Sequence, residues 1–250
     1  MLVAAAVCPH PPLLIPQAMG AAGLAGHPAG LGAGGQLAAL RAECTEAVAG
    51  LLAASPDLLI AVGGAAEAAQ YPASAAGTLR GLGVPFSTGP GEPVLPLSLT
   101  VASWLLGQVP ARCPVVLLAV PGSAPAGECA RLGAGLAGRA ARVALLVMAD
   151  GSARKATGVP GAADPAAERY DAGIAAALAG ADAGFLAGLD PACDGELLAT
   201  GRAALQVLAG AAQQPMRGRL RFGAAPLGVS YLVASWTLCP ADDPQARQPA

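Results

Sequence analysis

Four runs of uninterrupted apolar residues punctuate the chain, each stopped by Gly, Pro, Cys-Pro or Asp. Leu2 to Val7 runs into Cys8-Pro9-His10, and Leu58 to Val62 ("LLIAV") precedes Gly63-Gly64. Val115 to Val120 ("VVLLAV") lies between Pro114 and Pro121-Gly122, and Val143 to Met148 ("VALLVM") precedes Asp150-Gly151. Strands buried on both faces read this way, because neither side of the pleat meets water. Between these runs the period becomes helical. Gln36 to Ala54 sets Leu37, Leu40, Cys44, Val48 and Leu51 on one stripe, and Ser98 to Gly107 and Pro125 to Ala140 are also Ala/Leu-rich. Later, Asp164 to Leu189 and Asp194 to Ala211 predict helices, the first opened by Asp164 as N-cap with Pro165 at N1. Arg219 to Phe222 and Val229 to Trp236 predict two late strands around "GAAPLG".

This alternation predicts an α/β fold of three layers: a mainly parallel central sheet flanked by helices, with late C-terminal strands. Neither a repeat nor a linker divides the chain. One domain over residues 1–239 is expected, followed by a polar, Pro-containing tail over 240–250 that frays.

Composition narrows the function classes. The 250 residues are 54% hydrophobic and 12% charged, with 34 Gly, 23 Pro and a single lysine, Lys155, among 14 Lys and Arg. That bias reads as codon usage in a GC-rich genome. The net charge of −2 and scattered arginines leave no basic stripe, so no nucleic-acid partner is expected. The longest charge-free stretches, Pro11 to Leu40 and Phe222 to Ala241, are broken by Pro and Gly or by Ser and Thr, so no membrane span is expected. The apolar start lacks a basic n-region and ends after seven residues, which favours a first strand over a secretion signal and a cytoplasmic protein. Six cysteines without a CxxC read as small buried hydrophobes.

In open α/β sheets, ligands bind beyond the carboxyl ends of the strands. That rule gathers Cys8 and His10 after the first strand, Gly63, Gly64 and Glu67 after the second, and Asp150, Ser152 and Arg154 after the fourth. His10 suits a metal ligand at a strand end, or a capped imidazole in a Pro-stiffened loop. The other histidine, His27, lies in a Gly/Ala/Pro loop and reads as an exposed loop residue. Glu67 and Asp150 either face the cleft or cap the helices that follow them. No GxSxG elbow or Walker lysine is present, and Gly151-Ser152 suits an ordinary turn better than an anion site.

Five stretches carry a family resemblance over nearly the whole chain: "MLVAAAVCPHPPLLIP", "SPDLLIAVG", "RVALLVMADGSAR", "ATGRAALQVLAGAA" and "APLGVSYLVASW". In their order the chain resembles the subunit-B-like proteins of the class III extradiol ring-cleavage dioxygenases, especially short actinobacterial members. The resemblance implies an Fe(II) site of two histidines and a glutamate, with a further histidine as acid/base for opening a catechol-type ring. It also implies a protein partner or a homo-oligomer. Of those positions this chain matches only His10. Gly63, Gly64 or Ala65 stands where the second histidine belongs, Ser152 is followed by Ala153 and Arg154 where the acid/base histidine belongs, and Arg217 to Cys239 contains no Asp, Glu or His.

Two readings follow. In one, the protein keeps fold and pocket as a non-catalytic ligand-binding or scaffolding subunit with no metal. In the other, His10 with Glu67 or Asp150 holds a divalent metal, the oxygen partners favouring Mg²⁺ or Mn²⁺, and acts on a small aromatic or oxyanionic substrate. Carboxylate oxygens within bridging distance of the His10 ring would favour the second. Capping carboxylates and a solvent-facing His10 would favour the first.

Overall fold

The computed structural model describes residues 1–21, 32–154 and 164–240. His27 and the 241–250 tail lie outside them. The chain starts with β1 (Leu2–Cys8), a 3-10 turn over Pro12–Leu14, α1 (Pro16–Ala21) and α2 (Ala33–Ala53). Then come β2 (Leu58–Ala65), β3 (Ala69–Pro72), β4 (Gly77–Thr78), β5 (Ser87–Thr88) and α3 (Leu97–Gln108). β6 (Val115–Pro121), α4 (Ala126–Ala137) and β7 (Val143–Met148) follow. The last part holds α5 (Pro165–Gly180), α6 (Ala183–Ala187), α7 (Ala192–Glu196), α8 (Arg202–Ala211), β8 (Met216–Ala224) and β9 (Tyr231–Leu238).

Seven strands form one sheet in the order β3-β6-β2-β7-β1-β9-β8, and β4 pairs with β5 apart from it. The four apolar runs are its parallel centre: β2 pairs with β6 and β7, and β7 with β1. Antiparallel strands finish both edges, β3 beside β6 on one side and β9 then β8 beside β1 on the other. Helices cover both faces, as the strand pattern requires. Strand alternation sends Ala4, Ala6 and Cys8 to the face under α2 and α3, and Ala5 and Val7 to the face under α5 and α8, which Leu2 joins across a register shift between Leu2 and Ala4. The predicted stripe of α2 is buried throughout.

Both long late helices are broken where the sequence reading runs them on. α5 ends at Gly180, Ala181 just beyond it takes a left-handed φ of 55°, and Asp182 then caps α6 by accepting from the Phe185 N–H at 2.9 Å. Leu198 takes φ 52° between α7 and α8. Local capping chemistry and two left-handed residues override a continuous Ala/Leu pattern. The predicted Asp164 cap is present, accepting from the Ala166 N–H at 2.8 Å. Among the described residues no helix is long and apolar enough to cross a membrane.

Candidate functional site

The carboxyl ends of β1, β2 and β6 open into a cleft of about 720 Å³. His10 lies on its wall with Gly64, Ala65, Gly122 and Ser123, while Leu97 and Ser98 come from α3. The far side is the segment from Pro191 to Ala203, including Asp194, Thr200 and Arg202.

A stiff, pinned loop sets His10. Pro9, Pro11 and Pro12 restrict the backbone, and Arg41 of α2 donates from Nε to the Leu14 carbonyl at 2.6 Å. The His10 N–H donates to Asp150 Oδ1 at 2.8 Å, and the same oxygen lies 3.6 Å from His10 Nδ1. His10 is only 7% exposed, and Nδ1 is buried without a hydrogen-bond partner. Asp150 therefore pins the His10 backbone rather than capping a helix, and His10 lines the cleft beside that contact.

The remaining predicted positions separate by strand geometry. Gly64 is in the cleft, and its carbonyl accepts from Ser98 Oγ at 2.7 Å. Gly63 points the other way, against α3, where a Cβ would lie 2.5 Å from Ser98 Oγ and 2.7 Å from Ser98 Cβ. Cys8 does not reach the cleft. Alternation buries it under α2, its thiol 4.0 Å from the Cys44 carbonyl. Ser152 is also fully buried, donating from N and Oγ to the two oxygens of Asp171 at 2.9 and 2.6 Å. Arg154 and Glu67 are exposed and lie outside the lining of the cleft.

Asp194 and Arg202 were not legible as site residues. Arg202 opens α8, is 1% exposed, and donates from Nε to Asp194 Oδ2 at 2.7 Å. Its Nη1 donates to Gln206 Oε1 at 2.7 Å and the Ala124 carbonyl at 3.1 Å, and Nη2 donates to the Gly122 carbonyl. Gln206 in turn donates to the carbonyls of Ala187 and Leu189. Asp194 Oδ1 is buried and unpartnered. Burial pushes the Asp194 carboxyl up, against the opposing pull of Arg202. The signal available in the sequence was Arg202 with Gln206 four residues on, two polar side chains on one face of an otherwise apolar helix. Nearby, burial and then Asp150 push the Tyr231 phenol well up.

These residues do not fit an iron site of two histidines and a glutamate. His10 is the one described imidazole, Glu67 stands outside the cleft, and among the described residues no three His, Cys, Asp or Glu side chains group to hold a metal. Lone pairs are what a cation needs, and the cleft supplies few.

No family model and no curated protein matches the chain. Among solved structures, an uncharacterized protein of Escherichia coli K12 is similar, with 16% identity and a TM-score of 0.49 over 94% of this chain and 99% of that one. A likeness at this level assigns neither family nor activity.

Proposed function

We propose that the chain is an extradiol-dioxygenase subunit-B-like protein that binds a small molecule in the strand-end cleft around His10, in a ligand-binding or scaffolding role without ring-cleavage chemistry. One observation carries the reading: a buried imidazole on the cleft wall, its backbone pinned by Asp150, without a second imidazole or a glutamate beside it among the described residues. Clefts at strand carboxyl ends are the usual ligand sites of such sheets. A lone imidazole does not hold Fe(II) against water, because affinity comes from several preorganised ligands.

A second reading has one specific observation in its favour, the 3.6 Å between His10 Nδ1 and Asp150 Oδ1. A divalent metal shared by the two would make the protein a rewired metalloenzyme acting on a small aromatic or oxyanionic substrate. Against it, Nδ1 is sealed from solvent and Asp150 Oδ1 already accepts the His10 N–H.

Anaerobic titration of the apo-protein with Fe(II), Mn²⁺ and Zn²⁺, beside His10→Ala and Asp150→Asn, separates the two. The ligand-binding reading expects no stoichiometric metal uptake that depends on both residues, together with His10-dependent binding of small aromatic or oxyanionic probes. Metal binding that disappears in both variants would replace it with the metalloenzyme.

A further inference from the structure

The far wall of the cleft holds a buried ion pair that is matched on one side only. A guanidinium carries five N–H donors. Arg202, 1% exposed, places four of them: Nε on Asp194 Oδ2, Nη1 on Gln206 Oε1 and the Ala124 carbonyl, and Nη2 on the Gly122 carbonyl. The second Nη2 N–H has no acceptor among the described residues. Across the pair, Asp194 Oδ1 is buried without a donor. A two-legged arginine–carboxylate pair would match these groups to each other, and here the second leg is not made. Gly122, Asp194 and Arg202 all line the cleft, and the Asp194 side chain keeps 23% of its surface exposed.

Open donors and acceptors in a buried pair are costly, because water does not reach them. Burial pushes the Asp194 carboxyl up although Arg202 pulls it down, as expected of a carboxylate short of donors. A guest that satisfies both sides must bring an acceptor for Nη2 and a donor for Oδ1. A carboxylate guest brings no donor and meets Asp194; an ammonium guest brings no acceptor and meets Arg202. The pair is neutral in sum, so it favours a neutral group. A primary carboxamide carries a carbonyl oxygen and N–H donors on separate atoms, one for each side. The protein already seats one such group on the same guanidinium. The Gln206 carboxamide accepts from Nη1 at 2.7 Å and donates to the Ala187 and Leu189 carbonyls at 3.1 and 2.9 Å. A carboxylate turns easily about its last torsion, so Oδ1 can meet a guest while Oδ2 keeps Nε. Leu97, Pro191, Ala199 and Ala203 on the same wall suit a small apolar body beside the polar group.

We infer that Asp194 and Arg202 are the recognition point of the cleft for a neutral primary carboxamide on a small apolar or aromatic body. The ligand carbonyl accepts from Arg202 Nη2, and the ligand N–H donates to Asp194 Oδ1. This names a ligand class for the cleft and rests on the reading of the cleft as a ligand site.

The test is chemical-shift mapping of the ¹⁵N-labelled full chain with benzamide, beside acetophenone, phenol, benzoate and benzylammonium. Benzamide should shift the Gly122, Asp194 and Gly195 amides and the Arg202 Nε–H with a Kd of about 1 mM or tighter. Each of the other probes should bind at least about tenfold more weakly. Asp194→Asn keeps the shape but sets an NH₂ where Oδ1 stood, so both open groups become donors and the wall gains a positive charge. In that variant benzoate should overtake benzamide by about tenfold. Acetophenone, phenol or either ion matching benzamide in the unaltered protein would overturn the carboxamide site and leave the ligand cleft standing. So would benzamide shifts around His10 that spare Asp194 and Arg202, or an Asp194→Asn variant that keeps the original preference. No shift with any probe would remove both readings. If Asp194→Asn does not fold, the order of the five probes on the unaltered protein decides alone.

Discussion

Helix α4 carries a built-in comparison between two opposing effects of a methyl group. Replacing glycine by alanine inside a helix normally stabilises by about 1 kcal/mol, because the unfolded chain loses freedom. At Gly135, which is exposed and has open space where a Cβ would stand, only that gain applies, reduced to about 0.5 kcal/mol in the last turn. At Gly133 the same methyl meets α8 backbone: it would lie 2.7 Å from the Ala211 nitrogen, 3.0 Å from the Gly210 carbonyl carbon, and closer still to the Val207 carbonyl oxygen. These are main-chain atoms, so no rotamer relieves them, and the two helices must separate. Overpacking of this kind costs about 1–3 kcal/mol, and backbone contact puts it at the upper end. The helical gain is overwhelmed, so Gly133→Ala should lose about 2 kcal/mol net. The two variants should differ by roughly 2–3 kcal/mol in urea unfolding, which for a chain of this size is about 4–12 °C in Tm. Equal stability of the two within about 0.5 kcal/mol would refute the close-packed glycine contact and the placement of α8 that depends on it.

Three further outcomes follow from the same contacts. Gly63→Ala should lose about 1–3 kcal/mol by driving Ser98 off the end of β2, and the double variant Gly63→Ala/Ser98→Gly should recover most of it, since the clashing Oγ and Cβ are gone; a double variant no more stable than the single would refute the contact. Arg202→Met should cost about 3 kcal/mol in urea unfolding, because the buried acceptors of Asp194, Gln206, Gly122 and Ala124 lose their donor, and a loss under about 1 kcal/mol would show that solvent replaces it. Tyr231 ionises in the unfolded chain near its ordinary value but holds its proton when folded, so the native state binds more protons above that value and stability falls as pH rises past about 10; Tyr231→Phe should shallow that slope without removing it, since Tyr170 is raised in the same direction.

The parallel centre of the sheet was legible because strands buried on both faces leave a strong signal, unbroken apolar runs ended by Gly, Pro or Asp. α2 was legible for the same reason, its stripe being long and regular. The breaks at Ala181 and Leu198 were not, since an alanine and a leucine carry no hint of a left-handed φ. At the site, the strand-end rule gathered His10 and Gly64, which line the cleft, and Asp150, which pins the His10 backbone from outside the lining. Cys8, Gly63, Glu67, Ser152 and Arg154 lie away from the cleft, Cys8 and Ser152 for different reasons. Counting in twos along β1 sends Cys8 under α2, which the sequence alone could have revealed had the facing helix been known. Ser152 has its hydroxyl taken by Asp171, a partner 19 residues away that no local motif announces. Ser98, Asp194 and Arg202 reach the cleft from segments that only the folded sheet brings together.

Glycine at the end of β2 also bears on which side chains can reach the cleft. The resemblance implies an imidazole at one of Gly63, Gly64 or Ala65. At Gly63 the space for any side chain is filled by Ser98 in the first turn of α3, and at Gly64 a Cβ would stand 3.2 Å from the Thr200 carbonyl at the head of α8. At those two positions the heads of α3 and α8 crowd the space an imidazole would need, while Ala65 already carries its Cβ on the cleft wall. Among the lining residues the one carboxylate is Asp194, and Arg202 holds it in a buried pair that is costly to break. The packing of α3 and α8 against the end of β2 therefore limits which side chains can reach the cleft beside His10, and that limit is set by backbone contact rather than by any local sequence motif.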